Sequence, residues 1–465
     1  MDVLPGARAW AEQNFATADL GDRRRTRRLV ESAAKIAAHP EKPFTQVFDW
    51  NDLRGFYRLC DQSEATLAAV MSPHWQQTRE AMGRQPLVLI VHDTSELDFS
   101  SHHRLTGIGQ IGNEHGKGFL QHNSLAIVPQ PRQVLGLAYQ QLKVREPAPE
   151  GESTYQRKRR PRESDLWLEG FRASGRPPEG CCWVDVCDRG SDDYEGMRAC
   201  REMGHHFLFR ANQNRLVFVT PKRDRQEYLL DYARSLPSQG SDVVEIPGRG
   251  GRPPRTAQVS LAAAAVWVPP PQGTSKSAGK PILPAWVIRI WEPRPPAGVK
   301  EPLEWILLCS VPTTTLAELK ERRDWYCCRW LVEVFHNIEK NGCSEEDRRF
   351  ETAERMETCL ALLSVVAIRV FQLRCALENQ PDEPAEQAGT ADEVRLIRRF
   401  LKHKEKMFTV REFVRGVARL GGFLGRKRDG EPGVRALWRG YQRLQDMILG
   451  FHLFVCGAGA SGSVA

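Results

Sequence analysis

The stretch YCCRWLVEVFHNIEK, residues 326–340, places four polar side chains of different chemistry at helical spacing. They are Tyr326, Arg329, Glu333 and Lys340, and at about 100° per residue they fall within a stripe roughly 60° wide. The opposite side of the same helix is apolar and contains Trp330, Leu331, Val334, Phe335 and Ile338. The pattern predicts one continuous helix that packs its apolar face on a core and presents a polar stripe.

The composition limits the class of protein to which this helix belongs. With 465 residues the chain is long enough for roughly three domains. With 41% hydrophobic and 27% charged residues it can bury large cores and is not expected to be disordered. Lys and Arg total 66 against 58 Asp and Glu, a net charge of +8. This excess is compatible with a polyanionic partner, and equally with an ordinary basic enzyme.

Targeting and redox signals favour a reducing cytosol. The first residues, MDVLPGARAW, lack the apolar run of a signal peptide, and no uncharged apolar window of about 18 residues predicts a membrane span. The 12 cysteines include two adjacent pairs and no C-x-x-C motif, which is typical of reduced thiols. A zinc site from Cys200, His205 and His206 is conceivable but lacks the paired spacing of zinc ligands.

Residues 1–75 are predicted to form a helical N-terminal domain. In LGDRRRTRRLVESAAKIAAHP, Asp22 has the position of an N-cap and Pro40 that of a stop. Arginines crowd the first turns at positions 23, 24, 25, 27 and 28, where positive charge opposes the helix dipole. They fit either a phosphate-bearing partner or a solvated basic face.

The sequence period changes near residue 86, where strands begin. PLVLIVHD predicts a buried strand that ends at Asp93, HNSLAIVP and QVLGLAYQQLKV predict two more, and CCWVDVCD predicts a strand that ends at Asp188. Helical stretches alternate with the later strands, so residues 76–376 are predicted to form a mixed α/β domain. A Pro- and Gly-rich, β-prone stretch at about 213–304 is interpreted as an insertion, and the role of its loop at 269–280 stays open.

The remainder is predicted to be helical. RMETCLALLSVVAIRVFQLRCAL is apolar enough to be a core helix, and the acidic stretch ENQPDEPAEQAGTADE is interpreted as a linker. Residues 377–465 then form this linker and a helical C-terminal domain.

Three carboxylates can converge if the helix of residues 326–340 packs beside the ends of the two strands. Asp93 and Asp188 follow those strands, and ligands gather at strand ends in open α/β sheets. With Glu333, they would repel one another unless hard cations such as Mg²⁺ or Mn²⁺ held them. Two ions roughly 4 Å apart suit phosphoryl transfer. Each residue also has an ordinary interpretation: a turn or cap for either aspartate, and a helical Arg329–Glu333 ion pair.

At these residues the chain resembles a known family. The pattern Y-x2-R-x3-E-x6-K is similar to the Y-R-E-K signature of DDE transposases of the bacterial insertion-sequence "four" family. Other similar segments follow in family order: LGDRRRTRRLV, GFYRLC, HDTSELDFS, VCDRGSDDY, RWLVEVFHNIEKNG, VAIRVFQLR, ARLGGFLGRKRDG and ALWRGYQRL. The resemblance implies an α/β fold with an RNase H-like mixed sheet, a β-rich insertion before Glu333, and helical N- and C-terminal domains.

The resemblance also implies an activity and roles for individual residues. The activity is cut-and-paste transposition by nicking, hairpin formation, hairpin opening and strand transfer, with two Mg²⁺ ions per active site for which Mn²⁺ can substitute. The implied metal ligands and catalytic residues are Asp93, Asp188 and Glu333. The implied DNA contacts are phosphate binding by Tyr326, Arg329 and Lys340, base stacking by Trp305, and contacts from Arg210, Arg24, Arg25 and Arg28. Asn337 stands where relatives can carry a second lysine, so one phosphate contact is in doubt. Trp305 alone would otherwise be interpreted as strand core.

The implied partners are double-stranded DNA, namely terminal inverted repeats and target DNA, and a second copy of the chain in a paired-end complex. The last predicted helix carries an apolar seam with alternating spacings of three and four residues: Val434, Leu437, Tyr441, Leu444, Ile448 and Phe451. This seam could form the dimer contact or pack in its own domain. Two alternative functions stay open: a catalytically silent DNA-binding protein or inhibitor of transposition, and a two-metal endonuclease without strand transfer. The expected location is the bacterial cytoplasm, at the nucleoid.

Overall fold

The structure is a computed structural model. It describes residues 7–40, 42–112, 115–146, 149, 151–153, 162–246, 255–271, 279–299, 301–426 and 429–459. The side chains of residues 376–379, 434, 435, 449 and 452–459 lie outside this description. Residues 272–278, most of the loop whose role the sequence left open, also lie outside it.

The N-terminal region is helical. Its helices are α1 (Ala7–Phe15), α2 (Arg23–Ala38), α3 (Phe44–Val47), α4 (Trp50–Cys60) and α5 (Leu67–Met82). The predicted cap of α2 is confirmed, because the Asp22 side chain accepts a hydrogen bond from the Arg24 backbone N–H at 2.8 Å. Helix α5 continues past residue 75, the predicted end of the N-terminal domain. It packs on the central β-sheet described below and so joins the N-terminal helices to that sheet.

A mixed α/β sheet forms the centre of the molecule, as predicted. Its first part comprises β1 (Leu87–Asp98), β2 (Gly109–Ile111), β3 (Gly116–Val128), β4 (Gln133–Lys143), helix α6 (Ser164–Ala173), β5 (Cys182–Cys187), helix α7 (Tyr194–Glu202) and β6 (His206–Arg210). Strands β4, β3 and β1 are antiparallel neighbours, and β5 and then β6 continue the sheet parallel to β1. Three antiparallel strands followed by two parallel ones is the order of an RNase H-like sheet.

The first strand is longer than predicted. It continues past Asp93 to Asp98, because β3 pairs with it from Leu89↔Ile127 to Asp98↔Gly118. The parallel pairing with β5 stops earlier, at Val91↔Val186. Asp93 therefore lies within β1 rather than at its end. The pairing of β1 with β5 ends two residues before Asp93.

The predicted β-rich insertion extends the same sheet. Its elements are β7 (Leu216–Phe218), β8 (Gln226–Tyr228), helix α8 (Leu229–Ser235), β9 (Gly240–Ile246), β10 (Arg255–Val268) and β11 (Leu283–Trp291). Strand β12 (Glu304–Cys309) then pairs with both β11 and β6, which attaches the insertion to the central strands. Within the described residues, the sheet contains 12 strands.

The single helix predicted over residues 326–340 is wrong. The chain forms α9 (Leu316–Cys327), α10 (Trp330–Asn337) and a π-helical turn (Ile338–Gly342). The first helix ends at its C-cap, Cys328, whose backbone N–H donates to the carbonyls of residues 324–326. The Cys328 side chain is buried. The break changes the rotation between the helices. Tyr326 is consequently buried at 4% exposure, while Trp330, expected on the core face, is 37% exposed.

The next helix, α11 (Ala353–Asn379), is the predicted core helix. Its segment Ala353–Cys375 is long and apolar enough to cross a membrane, with a mean hydropathy of 1.7, but 89% of its apolar window is buried inside the protein. The helix packs on β4 and α5, and its apolar surface is used by these contacts rather than by lipid.

The C-terminal region contains α12 (Ala391–Phe400), α13 (Val410–Leu420) and α14 (Val434–Gly459). The acidic stretch before α12 is not an open linker. Ala385 and Ala388 within it are buried in the same cluster as α13, and Pro384 pairs with Thr409. The stretch is instead a packed segment between two helices, and Glu393 at its end takes part in the N-terminal capping box of α12.

The seam of α14 packs within its own domain. Leu437 and Leu444 are buried in the cluster formed with α12 and α13, and Ile448 packs against that cluster. The Tyr441 hydroxyl donates to Glu393 on α12 at 2.8 Å. Phe451 lies under the Arg395 guanidinium at 4.9 Å, and the Val434 side chain is outside the description. The part of the seam at Leu437 and Leu444 therefore packs inside the monomer, whereas Ile448 and Phe451 are only partly buried, and the dimer contact stays a prediction.

Candidate active site

Asp93 and Asp188 leave adjacent parallel strands in register. The β1–β5 pairing ends at Val91↔Val186, and each aspartate lies two residues beyond its member of that pair. Because side chains alternate with a period of two along a strand, both carboxylates lie on the same face of the sheet. The sequence placed the two residues after apolar runs, and the shared register brings them together.

The Asp93 carboxyl is held in an environment that disfavours its charge. Its side chain is 18% exposed, and it accepts the Thr94 N–H at 2.9 Å. Burial, and next the negative charge of Asp188, raise the pKa of Asp93 to about 7, with a further increase from Glu333. Arg329 acts in the opposite direction. The carboxyl therefore senses both other predicted ligands.

Asp188 also has the structural role that its turn context predicted. It caps the short 3-10 turn Arg189–Ser191, and its Oδ1 accepts the Gly190 N–H at 2.7 Å. This hydrogen bond fixes the side chain against the turn after β5 and leaves the second carboxylate oxygen uninvolved in the cap.

Arg329 bridges two of the three carboxylates. Its Nη2 donates to Glu333 at 2.5 Å, and its Nη1 lies 3.8 Å from Asp93 Oδ2. The helical ion pair that the sequence left open is thus formed. It also connects α10 to β1, so that Glu333 is on the aspartate side of the helix.

The donor chemistry fits divalent cations, although the side chains are not arranged as a formed metal site. In the described residues, no group of three His, Cys, Asp or Glu side chains is close enough to hold an ion. Asp93, Asp188 and Glu333 are nevertheless three hard oxygen donors whose charges oppose one another at Asp93. Arg329 offsets part of that repulsion, and a cation such as Mg²⁺ could offset the rest.

Three predicted DNA contacts lie together on one flank. Trp305 on β12 makes an edge-to-face contact with Tyr326, with ring centroids 5.1 Å apart. Arg210, at the end of β6, pairs in register with Leu307 and donates to the Glu304 carbonyl at 3.2 Å. Burial lowers the pKa of Arg210, an effect opposed by the adjacent Tyr326 hydroxyl. Trp305 packs against the core but is only partly buried, so part of its side chain is accessible to solvent.

Lys340 lies further along, on the π-helical turn. Its ammonium donates to the Glu96 carbonyl on β1 and lies 3.7 Å from Glu346. It is therefore anchored beyond Asp93 along the same strand, away from the Arg329–Glu333 pair.

The N-terminal arginines mostly have internal partners. Of the three arginines with a predicted DNA contact, Arg24 is the most exposed: its side chain is 91% exposed and pairs with its own helix cap, Asp22. Arg25 contacts Glu64 at 3.1 Å and Arg28 contacts Asp52 at 2.5 Å. The basic face is therefore partly neutralised within the protein.

A buried polar network behind the aspartates was not predicted. Asp185 on β5 receives His92 Nε2 at 2.9 Å and His205 Nδ1 at 2.8 Å, and Ser124 contacts the other His92 nitrogen at 2.9 Å. The network ties β1, β3 and β5 to the residue that precedes β6, and His92 is the neighbour of Asp93 along β1. An aspartate inside the apolar run CCWVDVC was the sequence signal for it.

This network excludes the conceivable zinc site. His205 uses one nitrogen for Asp185 and the other for the Gly175 carbonyl at 2.8 Å, and Cys200 is buried. Neither ring nitrogen is left for a metal.

Glu339 is a second buried acid that the sequence did not reveal. Side-chain amides of Gln121, Asn123 and Gln140 surround its carboxyl, with Gln121 Nε2 at 3.1 Å. Burial raises its pKa to about 8. It faces the core from the π-helical turn, next to Lys340.

Three family models match successive segments of the chain. Transposase DNA-binding matches residues 7–65, Transposase DDE domain matches residues 185–368, and Transposase Tn5 dimerisation domain matches residues 365–458. Together with the RNase H-like sheet, this order defines a DDE transposase. The chain belongs to the Tn5 type of these enzymes, in agreement with its resemblance to the insertion-sequence "four" family.

Membership establishes the general properties of the protein. It is a DNA-binding transposition enzyme with a dimerisation domain that supports homodimer formation, and DDE transposases in general depend on divalent metal ions. The matched DDE segment contains Asp188 and Glu333, whereas Asp93 precedes its first residue. The assignment of individual site residues stays a prediction.

Proposed function

We propose that this transposase moves DNA by a cut-and-paste route. It binds the terminal inverted repeats of a transposon, nicks each end, releases the element through a DNA hairpin and joins the 3′ ends to target DNA. The observation that carries the proposal is the shared register of Asp93 and Asp188 beside the Arg329–Glu333 pair. This supports a site for phosphoryl transfer rather than for DNA binding alone.

In this proposal Asp93, Asp188 and Glu333 hold two Mg²⁺ ions, with Mn²⁺ as a substitute. When bound, such ions activate the attacking oxygen and stabilise the leaving oxygen. Arg329 exchanges a carboxylate for a phosphate of the cleaved end, since its planar guanidinium suits both. The buried His92–Asp185–His205 network keeps β1 and β5 in register, and so keeps both aspartates on one face.

The other predicted contacts orient the DNA. Tyr326, Arg210 and Lys340 hold phosphates, and the partly buried Trp305 stacks its ring on an extruded base. In the N-terminal region, Arg24 binds phosphates directly, while Arg25 and Arg28 exchange Glu64 and Asp52 for them. Because each exchange breaks an existing ion pair, these two arginines should contribute less to the free energy of DNA binding than unpaired arginines would.

Two alternative functions make different products. A silent inhibitor would bind end DNA without cutting it, and an endonuclease would nick without joining. The intact set of three carboxylates favours cutting over the first alternative. Burial of α11 is compatible with the proposed cytoplasmic, nucleoid-associated location.

The test uses DNA flanking the gene, searched for matching inverted repeats and offered as end duplexes with Mg²⁺. Hairpins and joined products are expected. Nicks alone would replace the proposal by the endonuclease, and uncut bound DNA would replace it by the inhibitor.

Asp188→Asn should abolish nicking and leave end binding within about twofold, because binding rests on basic surfaces. Asp224→Asn, an exposed carboxylate in the insertion, is the control and should cut normally. Full cutting by Asp188→Asn would remove Asp188 from the metal site.

A further inference from the structure

The C-terminal region carries a basic cleft remote in sequence from every predicted DNA contact. The cleft, of about 710 Å³, is formed by the second half of α12 and the turn after it. This surface is named here the α12 basic cleft, and its lining includes five cations and one histidine: Arg395, Arg398, Arg399, Lys402, Lys404 and His403. Glu386 is the acidic residue among its lining residues.

Three of these five cations have no side-chain partner in the part of the chain that the structure describes. Among the described residues, no hydrogen bond or ion pair engages the side chains of Arg399, Lys402 or Lys404. Arg395 pairs with Asp392 at 2.5 Å but remains 60% exposed. The cleft therefore presents several available cations to solvent, whereas Arg25 and Arg28 of the N-terminal helix are already paired.

Helix stability explains only part of this charge. Arg398 and Arg399 lie in the last turn of α12, where cations stabilise the helix by about 0.3–1 kcal/mol each. Lys402 and Lys404 lie beyond the helix. Lys402 has a φ of 53°, a left-handed conformation for which glycine or asparagine is better suited. A lysine at this position adds backbone strain, and its charge adds repulsion that an anionic partner would offset.

The turn that carries these cations is held in one shape. Arg398 donates to the carbonyls of Glu405 and Lys406, which closes the turn onto the helix. His403 contacts Glu412 at 3.1 Å and its ring packs on Phe408 at 4.9 Å. Ile397 on the opposite side of α12 is fully buried. The charges are therefore presented on a preformed surface, which lowers the entropy cost of binding.

We propose that the α12 basic cleft binds the phosphodiester backbone of double-stranded DNA. It is an additional contact, separate from the N-terminal helices and from the candidate active site. The inference rests on the proposed function, because a chain that joins two DNAs must hold more duplex than the cleaved end. The duplex can be the transposon end beyond the nick or the target, and both present the same phosphates.

The test compares two full-length variants with the same loss of charge. One carries Arg399→Gln, Lys402→Gln and Lys404→Gln in the cleft. The control carries Lys222→Gln, Arg223→Gln and Arg294→Gln, all exposed in the insertion. Each is titrated with a random-sequence duplex across a salt series, and melting curves check that both fold.

The cleft variant should bind the random duplex roughly tenfold more weakly than the control, with a salt slope smaller by about 2–3, since each phosphate contact contributes about 0.9. Equal affinity and slope for the two variants would overturn the proposal. The proposal would also be overturned if the cleft variant bound the duplex as the control does and lost only the binding of single-stranded RNA, titrated in the same way.

The source of the duplex is read from the reaction. Loss of end-duplex binding identifies the transposon end, and loss of strand transfer with normal hairpins identifies the target; both support the cleft. The random-duplex comparison remains valid if the wild-type protein cuts nothing, so failure of the proposed function is distinguishable from failure of this inference.

Discussion

At the scale of single residues, Asp93 shows the electrostatics of the proposed cation site. Burial and the nearby Asp188 raise its pKa to about 7, well above the ordinary 3.8. The folded protein therefore binds this proton more tightly than the unfolded chain does. The contribution of Asp93 to stability is present below about pH 4 and is lost as pH rises through 7.

Asp93→Asn removes this penalty. Without metal, the variant should melt higher than the wild type near pH 8, by about 2–4 °C for each kcal/mol regained, and the difference should vanish near pH 4. Differential scanning calorimetry at both pH values checks this. Mg²⁺ should raise the melting temperature of the wild type but not of the variant, because the cation competes with the proton. A variant that is less stable than the wild type at pH 8 would contradict the assigned environment.

Trp305 has one observed contact, with Tyr326, and one proposed role, base stacking, and a substitution can separate them. If it stacks on an extruded base, Trp305→Ala should slow hairpin formation roughly ten- to hundredfold more than the first nick, since stacking is worth about 1–3 kcal/mol per base. Single-turnover gels resolve the two steps. Trp305→Phe should recover much of the hairpin rate. Equal slowing of both steps would indicate that the contact with Tyr326 is purely structural.

At the scale of elements, α14 shows why helical periodicity does not name a partner. Its 3-4 spaced apolar residues are those of a coiled-coil seam, yet they pack on α12 and α13. The same spacing satisfies both arrangements, because each requires only one continuous apolar stripe. The buried residues of α14 are used within the domain, and the spacing alone does not say whether the partly buried ones also contact a second copy.

Leu444→Asp should consequently unfold this domain in the monomer. Leu444 is fully buried, so an unpaired carboxylate there should reduce the free energy of unfolding by about 3–5 kcal/mol. Limited proteolysis and thermal melts report the loss. Arg439→Asp, on the exposed side of the same helix, should melt normally. A normally folded Leu444→Asp monomer that fails only to dimerise would restore the seam as the dimer contact.

At the scale of the whole molecule, one N-terminal loop touches both other regions. Arg348, which follows the π-helical turn, donates to the carbonyls of Pro40 and Lys42 and lies 4.5 Å over the Phe44 ring. His39 in the same loop contacts Asp446 on α14 at 3.3 Å. The DNA-binding helices are thus physically connected to the segment that carries Glu333 and to the dimerisation domain.

Arg348→Met tests this connection. Because it leaves several buried carbonyls without a donor, it should lower the free energy of unfolding by about 3 kcal/mol and disturb end binding and cutting together. Arg355→Met is the matched control, since its ion pair with Asp61 also joins the two regions but is partly exposed. It should change stability by less than about 1 kcal/mol. Equal effects in denaturant titrations would show that Arg348 has no special role.

The sequence by itself determined the features that depend on neighbouring residues. The Asp22 cap, the apolar strands before Asp93 and Asp188, and the core helix Ala353–Asn379 follow from local periodicity and capping, so they could be predicted. The Y-R-E-K spacing pointed to the transposase family for the same reason. These patterns keep their meaning wherever the segment lies in the fold.

Only the tertiary structure decided which of these residues meet. The break at Cys328 buries Tyr326 against Trp305, and Arg329 bridges Glu333 to Asp93. Asp185 joins His92 from β1 and His205 from the turn before β6, and α14 uses its apolar stripe inside its own domain. Each of these contacts links residues far apart in the chain. Their partners are chosen by strand register and by competition among apolar surfaces for burial, and neither is encoded in the spacing of one segment.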